Sequence, residues 1–478
     1  MKLQERALGD SAKVIEQLRS ARGPANIAYL DPPYSRYLHG LAAHLARRTG
    51  GTVQALLSSP AYAMYTCGDE HLVWPPGALA DPPAAPQGGE HALWSQPVDD
   101  ERFRAVFWHA VAWFRECFRA RGIRICLVFS DARPFSLAAS IAARQCGVRC
   151  LYIERGAFRL RSASLSMQGL NARFSLEQAR ACESSIEGMP ADALHATRTQ
   201  EPWLRLRFLR FLLANEAACR AAPRRRFLQH KRFGLMPYVR LALAQWWTAH
   251  HSMRHADARL GLDAGGPLVL LPLQLPADSQ VRLHSPFEGN QALLDFVVQQ
   301  ARRAVPGVRV LVKRHPMDSA RYRLPDGARW VGGNLARFYR LDPLVVCINS
   351  TVGFEAATRG VPVICFGPSF YTAGGAVTLA TRTDFAAQLA ARIGAPPDTA
   401  RGRALLADVL RWYQAPGDTW AYSEADLEAT TGIAMQHLQA RAASQGVAYE
   451  ALRRISDAHA EASAQRHRLA SLRHASLP

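Results

Sequence analysis

No run of about 18 uncharged apolar residues occurs in this 478-residue sequence, so no transmembrane helix is expected. The first residues, MKLQERALGDSAKVIEQL, lack the apolar centre of a secretory signal, and the chain is therefore expected to stay in the cytoplasm. Nine cysteines are present, but no CxxC pair, and Cys146 and Cys150 come closest. That scatter excludes zinc-ribbon and thioredoxin-like sites and suits buried thiols in a reducing compartment. Acid-rich clusters with metal-ligating spacing are absent too, so neither a metal nor another cofactor is expected. Internal repeats and low-complexity tracts are missing as well.

Acidic residues are few: 39 Asp and Glu stand against 58 Lys and Arg, a net charge of +19. An excess of that size invites nucleic acid, an anionic membrane surface or an acidic substrate. Its location helps to choose. Residues 201–255 hold eleven Arg and Lys with only two acids, Glu201 and Glu216, and also carry Trp203, Phe208, Phe211, Phe227, Phe233, Tyr238, Trp246 and Trp247. Cations mixed with amphipathic rings suit a lipid headgroup interface. A solvated helical face packed on a core accounts for the same residues almost as well. The segment has no RNA- or DNA-binding signature, so nucleic acid is not expected as a partner.

What is present is apolar residue in quantity, 49%, enough for large cores. Short apolar runs alternate with helical stretches: NIAYL (26–30), a helix over 37–50 closing at a glycine, TVQALL (52–57), a long amphipathic helix (103–122), IRICLVFS (123–130), a helix over 136–147 again closing at glycine, and VRCLYIE (148–154). This rhythm predicts a parallel sheet covered on both faces. It lapses over 156–265, which reads as helical, basic and insertion-like. It returns with PLVLLPLQ (267–274), a helix at 290–304, VRVLVKRH (308–315), LVVCINS (344–350), VGFEAATRG (352–360) and VPVICFG (361–367). The expected class is α/β of the GT-B kind, two Rossmann-like domains facing a cleft. The expected divisions are a helical extension (1–25), an acceptor-side Rossmann-like domain (26–200), a basic aromatic helical connector (201–262), a nucleotide-binding Rossmann-like domain (263–395), and C-terminal helices with a tail (396–478).

Ligands of such sheets bind beyond the C-terminal strand ends, and five polar clusters fall there. Gln274 and Asp278 follow PLVLLPLQ, with Pro276 breaking the strand between them. Lys313, Arg314, His315 and Pro316 close VRVLV, two cations and an imidazole suited to a nucleotide phosphate. Asn349, Ser350, Thr351 and Gly353 form a turn into a helix, where backbone N–H groups and hydroxyls can meet an anion, although ordinary N-capping fits them equally. Glu355, one turn later, is placed for a ribose or base. Glu154 and Arg155 precede Gly156, and Asp131 and Arg133 follow IRICLVF; either pair could instead be a structural ion pair. His284, six residues past Asp278, joins the candidates for the cleft.

LPLQLPADSQVRLHSPF, LVKRHPMD, CINSTVGFEAATRGVPVICFG and FYTAGG together resemble the C-terminal half of the bacterial capsule polysaccharide Kdo transferases, the KpsS/KpsC (LipB/LipA) group. VFSDARPFS resembles that family's GD-x-R-P segment and IERGAFRLRSASLSMQGLN its EEG(Y/F)-x-R…GVN segment. The likeness runs from about residue 26 to 385, and its single catalytic module is closer to the KpsS type. The resemblance implies a retaining GT-B enzyme that uses CMP-β-Kdo and works at the inner face of the cytoplasmic membrane. Its implied acceptor is a phosphatidylglycerol-type lipid or a Kdo-lipid linker, and other capsule assembly proteins are potential partners. It assigns Asp278 as catalytic aspartate beside Gln274, His315 and Pro316 to holding CMP, Asn349, Ser350 and Thr351 to the phosphate and nucleotide, and Glu154 as the first acid of the EEG segment. Arg155 replaces the usual second acid, and Ser130 stands where glycine is common. A transferase using another CMP-sugar, sialyltransferase-like, and a non-catalytic capsule assembly or export protein are the alternatives.

The proposed chemistry suits these residue types. Departure of CMP from C2 of an ulosonic acid leaves an oxocarbenium-like centre, which a carboxylate such as Asp278 can trap. His315, Lys313 and the 349–351 turn can offset charge on the departing phosphate.

Overall fold

Strand β1 (Asn26–Leu30) sends Ile27 and Tyr29 to one side of its sheet and Ala28 and Leu30 to the other, all four buried. The chain is described by a computed structural model over residues 26–76, 100–181, 186–196, 198–200, 203–229, 266–276, 278–372 and 375–439, with isolated positions (236, 239, 240, 242, 243 and 246) between. The expected extension over 1–25 and the end of the tail lie outside the described residues.

From β1 the chain runs through α1 (Tyr37–Thr49), β2 (Val53–Leu57), β3 (His71–Val73), α2 (Asp100–Ala120), β4 (Ile123–Phe129), α3 (Pro134–Cys146) and β5 (Arg149–Arg155). Helices α1 and α3 end as the sequence predicts, on Gly50 and Gly147 in the left-handed conformation (φ 68° and 69°). Then come β6 (Ser162–Ser166), α4 (Leu176–Ala181) and α5 (Leu204–Ala221). The second alternating stretch supplies β7 (Leu268–Pro272), α6 (Ser279–His284), α7 (Asn290–Ala304), β8 (Arg309–Lys313), β9 (Ala328–Val331), α8 (Ala336–Tyr339), β10 (Leu344–Cys347), α9 (Thr351–Thr358), β11 (Val363–Cys365), β12 (Thr378–Leu379), α10 (Phe385–Arg392) and α11 (Thr399–Trp412). Two elements close the described chain, β13 (Gln414–Pro416) and α12 (Glu424–Gln439).

These elements form two compact units. One comprises the described parts of Met1–Arg173, Cys182–Arg232 and Gln414–Pro478, the other Phe174–Ala181 and those of Phe233–Tyr413. The first sheet has the order β13-β6-β5-β4-β1-β2-β3, parallel except where β6 pairs with β5 and β13. The second, β12-β11-β10-β7-β8-β9, is parallel throughout. Each is a doubly wound, Rossmann-like sheet of the kind from which GT-B enzymes are built. In each, the strand order reverses beside the first strand, between β1 and β4 and between β7 and β10. The carboxyl ends of those pairs are where ligands of such sheets bind.

The structure redraws three of the expected divisions. Residues 396–478 do not form one C-terminal appendage: α11 belongs to the second unit, while β13 and α12 return to the first. The return is driven by burial. Leu427, Ile433, Ala434 and Leu438 of α12 join a core with Leu38, Leu41 and Leu45 of α1, and His44 lies between Glu424 and Glu428. Residues 174–181 leave the first domain for the second, where Phe174 packs on Tyr413 and Arg180 pairs with Asp408. The described residues 203–229 are part of the first unit rather than a connector, because Phe208 and Phe211 of α5 seat against Tyr34, Tyr62 and Tyr65. A fully buried aromatic ring contributes about 2–3 kcal/mol, so Phe211 alone anchors that helix strongly. Strand β6 was not anticipated. Its alternating serines carry little apolar signal, yet all five residues are buried. Gln414 reaches across from β13, accepting from Ser162 Oγ at 2.6 Å and donating to Ser164 Oγ at 3.1 Å.

Candidate active site

At the strand-order reversal of the second unit, the ends of β7 and β10 are stitched together by side-chain amides. Gln274 Oε1 accepts from the backbone N–H of Asn349 at 3.1 Å, and Gln274 Nε2 donates to Asn349 Oδ1 at 3.2 Å. Asn349 Nδ2 then donates to Gln280 Oε1 (3.2 Å) and to the carbonyl of Pro368 (3.1 Å). Asp278 belongs to this cluster. As N-cap of α6 its Oδ1 accepts the backbone N–H of Gln280 at 2.9 Å, the residue whose side chain touches Asn349. The cap fixes the carboxylate at a helix start, half-exposed, next to Gln280. Asn349 and Gln274 are buried and Ser350 nearly so, which makes the amide frame rigid rather than solvated.

A second chain of bonds leads from Gln274 to the end of β8. Asn290 Nδ2 donates to the Gln274 carbonyl at 2.7 Å and to Tyr322 Oη at 3.1 Å. Tyr322 donates to Asp318 Oδ2 at 2.7 Å, and the backbone N–H of Asp318 donates to the His315 carbonyl at 2.9 Å. His315 Nδ1 accepts from the Met317 N–H at 3.1 Å, so the neutral ring carries its proton on Nε2. An Nε2–H is a donor for a phosphate oxygen. Burial, with the hydrogen bond to Asp318 adding to it, pushes the Tyr322 phenol up to about 12, so it serves as a fixed donor. Among the described residues, Asn290, Asp318, Tyr322 and Gln280 form the framework that sequence reasoning did not single out. Asp318 and Gln280 lay inside the motifs and could have been found there, whereas Asn290 and Tyr322 had no local signal.

The remaining donor-side candidates divide. Ser350 caps α9, accepting from the Val352 N–H at 3.2 Å, and Thr351 is exposed at the first turn of that helix. Pro316 is exposed beside His315, and Lys313 donates to the Gly333 carbonyl at 2.6 Å. Arg314 lies against the rings of Tyr322 and Trp330 at 5.3 and 5.4 Å and donates to the Ala320 carbonyl, so it braces the 314–322 loop rather than standing as a phosphate cation. Two further candidates make structural contacts of their own. Gly353 faces the interior, where a Cβ would meet Tyr371 Oη at 2.7 Å and Cys347 Sγ at 2.8 Å, so glycine is required there for packing. Glu355 is joined to Arg359 at 3.1 Å along the same helix, and both side chains are partly exposed. His284, at the end of α6, lies by Gly367, where an added Cβ would come 2.9 Å from the His284 carbonyl.

In the first unit most of the candidates are structural. Arg155 forks onto Asp418, Nε and Nη2 reaching its carboxylate at 3.1–3.2 Å, and stacks 4.1 Å from the Trp420 ring. Asp418 is wholly buried, so this pair holds the β13 turn to β5. Asp131 is buried and accepts from the Leu170 N–H at 2.8 Å, with Arg173 at 3.5 Å, thereby closing the 167–173 loop. Glu154 accepts from Asn171 Nδ2 at 2.9 Å and is half-exposed at the end of β5. Arg133 stacks on Phe129 at 4.6 Å. Ser130 adopts φ 62°, the left-handed conformation that glycine favours. A further residue sits at the β1/β4 reversal: Asp31, directly after β1 and before Pro32, accepts from Ser58 N (2.8 Å) and Ser58 Oγ (2.5 Å). Burial pushes its carboxyl up to about 7, against the opposing pull of Ser58 and Arg133. The LDPP stretch was a readable sign of it, whereas Gln229, which donates to Ser58 Oγ at 2.6 Å, was not.

With this geometry in place, comparison with known proteins is decisive at one level. The family of capsule polysaccharide biosynthesis proteins matches residues 125–326 and 328–393, more than half of the chain, and spans both sheets and the Gln274–Asn349 site. The chain belongs to this family. Among its relatives, the capsule polysaccharide export protein KpsS of Escherichia coli is 25% identical over 277 residues, covering 54% of this chain and 71% of that one. The capsule polysaccharide modification protein LipB of Neisseria meningitidis serogroup A is 23% identical over 288 residues, 55% of this chain and 68% of its own. The resemblance drawn from the motifs rests on the same group. Among solved structures, KpsC of Thermosulfurimonas dismutans, a beta Kdo 2,7 transferase, aligns over 66% of this chain and 87% of its own at 18% identity with a TM-score of 0.33, values too low to bear on activity. This capsule polysaccharide biosynthesis protein has, among its described residues, no helix long and apolar enough to cross a membrane and no cluster of three metal-ligating side chains.

Proposed function

We propose that this family member is a glycosyltransferase that moves Kdo from CMP-β-Kdo, with retention of configuration, onto a phosphatidylglycerol-type lipid or a Kdo-lipid linker at the inner face of the cytoplasmic membrane. The observation that carries the reading is the single hydrogen-bonded cluster at the β7/β10 reversal. It joins Gln274, Asn349 and, through Gln280, the carboxylate of Asp278. Membership of the capsule polysaccharide biosynthesis family, together with the resemblance of its motifs to the capsule Kdo transferases, supports Kdo as the sugar.

The residues divide the work as follows. Ser350, Thr351 and the first turn of α9 offer hydroxyls and backbone N–H groups to the single phosphate of CMP, with His315 Nε2–H as a further donor. As the C2–O bond to phosphate breaks, its electron pair leaves with CMP. An oxygen of Asp278 then bonds to C2, and the acceptor hydroxyl, releasing its proton to solvent, attacks C2 and displaces the carboxylate, so two inversions give retention. Capping holds that carboxylate in one orientation before the reaction begins. Glu154, placed by resemblance, is the first unit's catalytic candidate.

Saturation binding of nucleotides tests the donor half of the reading. CMP is expected to bind, UDP to bind far more weakly, and Asn349→Ala to weaken CMP by at least tenfold. Equal affinity for CMP and UDP, or an Asn349→Ala variant that binds CMP as well as wild type does, would overturn it.

A further inference from the structure

Helix α5 carries apolar residues on two opposite faces. At 100° per residue, Phe208, Phe211, Asn215 and Cys219 line one side, which is docked on the first unit. Leu206, Leu209 and Leu213 line the side directly opposite and are 49%, 47% and 51% exposed. Trp203, at the helix start, is 72% exposed and held at φ 63°, a left-handed conformation that an L-residue adopts at a cost. A surface helix ordinarily turns polar residues outward. Here the outward leucines are flanked by Arg205 on one side and by Arg207 and Arg210 on the other. The acid of this helix, Glu216, is already paired with Arg220 and Arg226. Exposed apolar residues also recur at helical spacing at Met236, Val239, Leu243 and Trp246, with Arg240 among them.

We propose that the outward face of α5 is a membrane-insertion surface that lays Trp203, Leu206, Leu209 and Leu213 into the headgroup–acyl boundary of an anionic bilayer, with Arg205, Arg207 and Arg210 on the lipid phosphates. The charge pattern selects this occupant. Three arginines beside the leucines, with no unpaired acid among the described residues of α5, complement a negatively charged lipid surface, and the ring of Trp203 suits its interface. The inference deepens the membrane half of the proposed function, since a lipid acceptor requires approach to a bilayer. It rests on that reading for its purpose, but its test needs no donor sugar.

The full-length protein is floated with vesicles of phosphatidylglycerol and phosphatidylethanolamine, and with vesicles of phosphatidylcholine alone. Binding is expected to the anionic vesicles only and to fall as salt rises from 50 to about 300 mM. The variant R205Q/R207Q/R210Q is expected to bind on the order of a hundredfold more weakly, about fivefold for each basic residue at an anionic surface. W203S/L206Q/L209Q/L213Q is expected to lose binding while keeping the wild-type circular dichroism and CMP affinity, because its positions face away from the core. Equal vesicle binding by either folded variant overturns the proposal. So does a wild-type protein that ignores vesicles but forms a dimer which the leucine variant dissolves. Loss of CMP binding or of transfer activity with vesicle binding intact would count against the proposed reaction and not against this surface.

Discussion

Replacing Asp278 separates its observed role as a helix cap from its proposed role in catalysis. As N-cap of α6 it accepts the Gln280 N–H at 2.9 Å, and asparagine caps a helix about as well as aspartate does. Asp278→Asn is therefore expected to melt within about 0.5 kcal/mol of wild type, whereas Asp278→Ala loses the cap and about 1 kcal/mol. Gln280 would then be freed from its fixed backbone position, and its contact with Asn349 at 3.2 Å would loosen, so the alanine variant should also bind CMP more weakly. Catalysis reads the charge instead. Asparagine can neither form the covalent link to C2 nor offset the developing positive centre, and transfer should fall by at least about a thousandfold, roughly 4 kcal/mol of transition-state stabilisation. The assay pairs thermal unfolding and CMP titration with radiolabelled sugar transfer on each variant. An Asp278→Asn protein that transfers within tenfold of wild type would refute the catalytic role and leave only the cap.

His315→Ala should reduce transfer by at least about a hundredfold with little change in melting, because the ring is half-exposed and its Nε2–H is the proposed donor to the phosphate; the kcat and CMP affinity of the purified variant check it. Asp31→Asn addresses pH. Folding raises this carboxyl from its ordinary value near 3.8 to about 7, so the native state holds the proton more tightly than the unfolded chain does. Stability should therefore fall as pH rises from about 4 to about 7, by on the order of 4 kcal/mol, then level off, and denaturant titrations should show this slope vanish in the asparagine variant. Arg155→Ala strands the buried Asp418 and should cost about 3–5 kcal/mol of stability without a selective rise in acceptor KM; a KM effect in a fully stable protein would restore the acceptor assignment. Ser130→Gly should stabilise by about 1 kcal/mol, measured by the midpoint of chemical unfolding, because glycine accepts φ 62° without strain.

Much of the architecture was legible because it rests on local signals. Apolar runs at NIAYL, IRICLVF, PLVLLP and LVVC became β1, β4, β7 and β10, and Gly50 and Gly147 closed their helices in the left-handed conformation. Strand β6 was hidden because its alternating serines carry little apolar signal, and part of what holds them is a partner distant in sequence, Gln414, which bonds to Ser162 and Ser164. The return of β13 and α12 was hidden because the α1 leucines on which α12 packs are distant in sequence. In the candidate site, the rule that strand ends carry ligand-binding residues singled out Gln274, Asp278, His315 and Asn349, which the hydrogen-bonded network links. Which strand-end residues bond to one another was beyond it. Arg155 and Asp131 look like cleft residues until Asp418 and Leu170 are seen to hold them, and Gly353 looks like an anion-loop glycine until Tyr371 and Cys347 are seen behind it. Local chemistry names candidates; distant partners decide which are already engaged.

Incubation of the purified protein with CMP-β-Kdo and a short-chain phosphatidylglycerol, followed by mass spectrometry of the lipid and quantitation of free CMP, addresses the central claim most directly. A lipid heavier by one Kdo residue, formed in step with CMP release and absent with Asp278→Asn, is the predicted result. A folded protein that binds CMP yet releases none and leaves both the phosphatidylglycerol and a Kdo-lipid acceptor unchanged would contradict it.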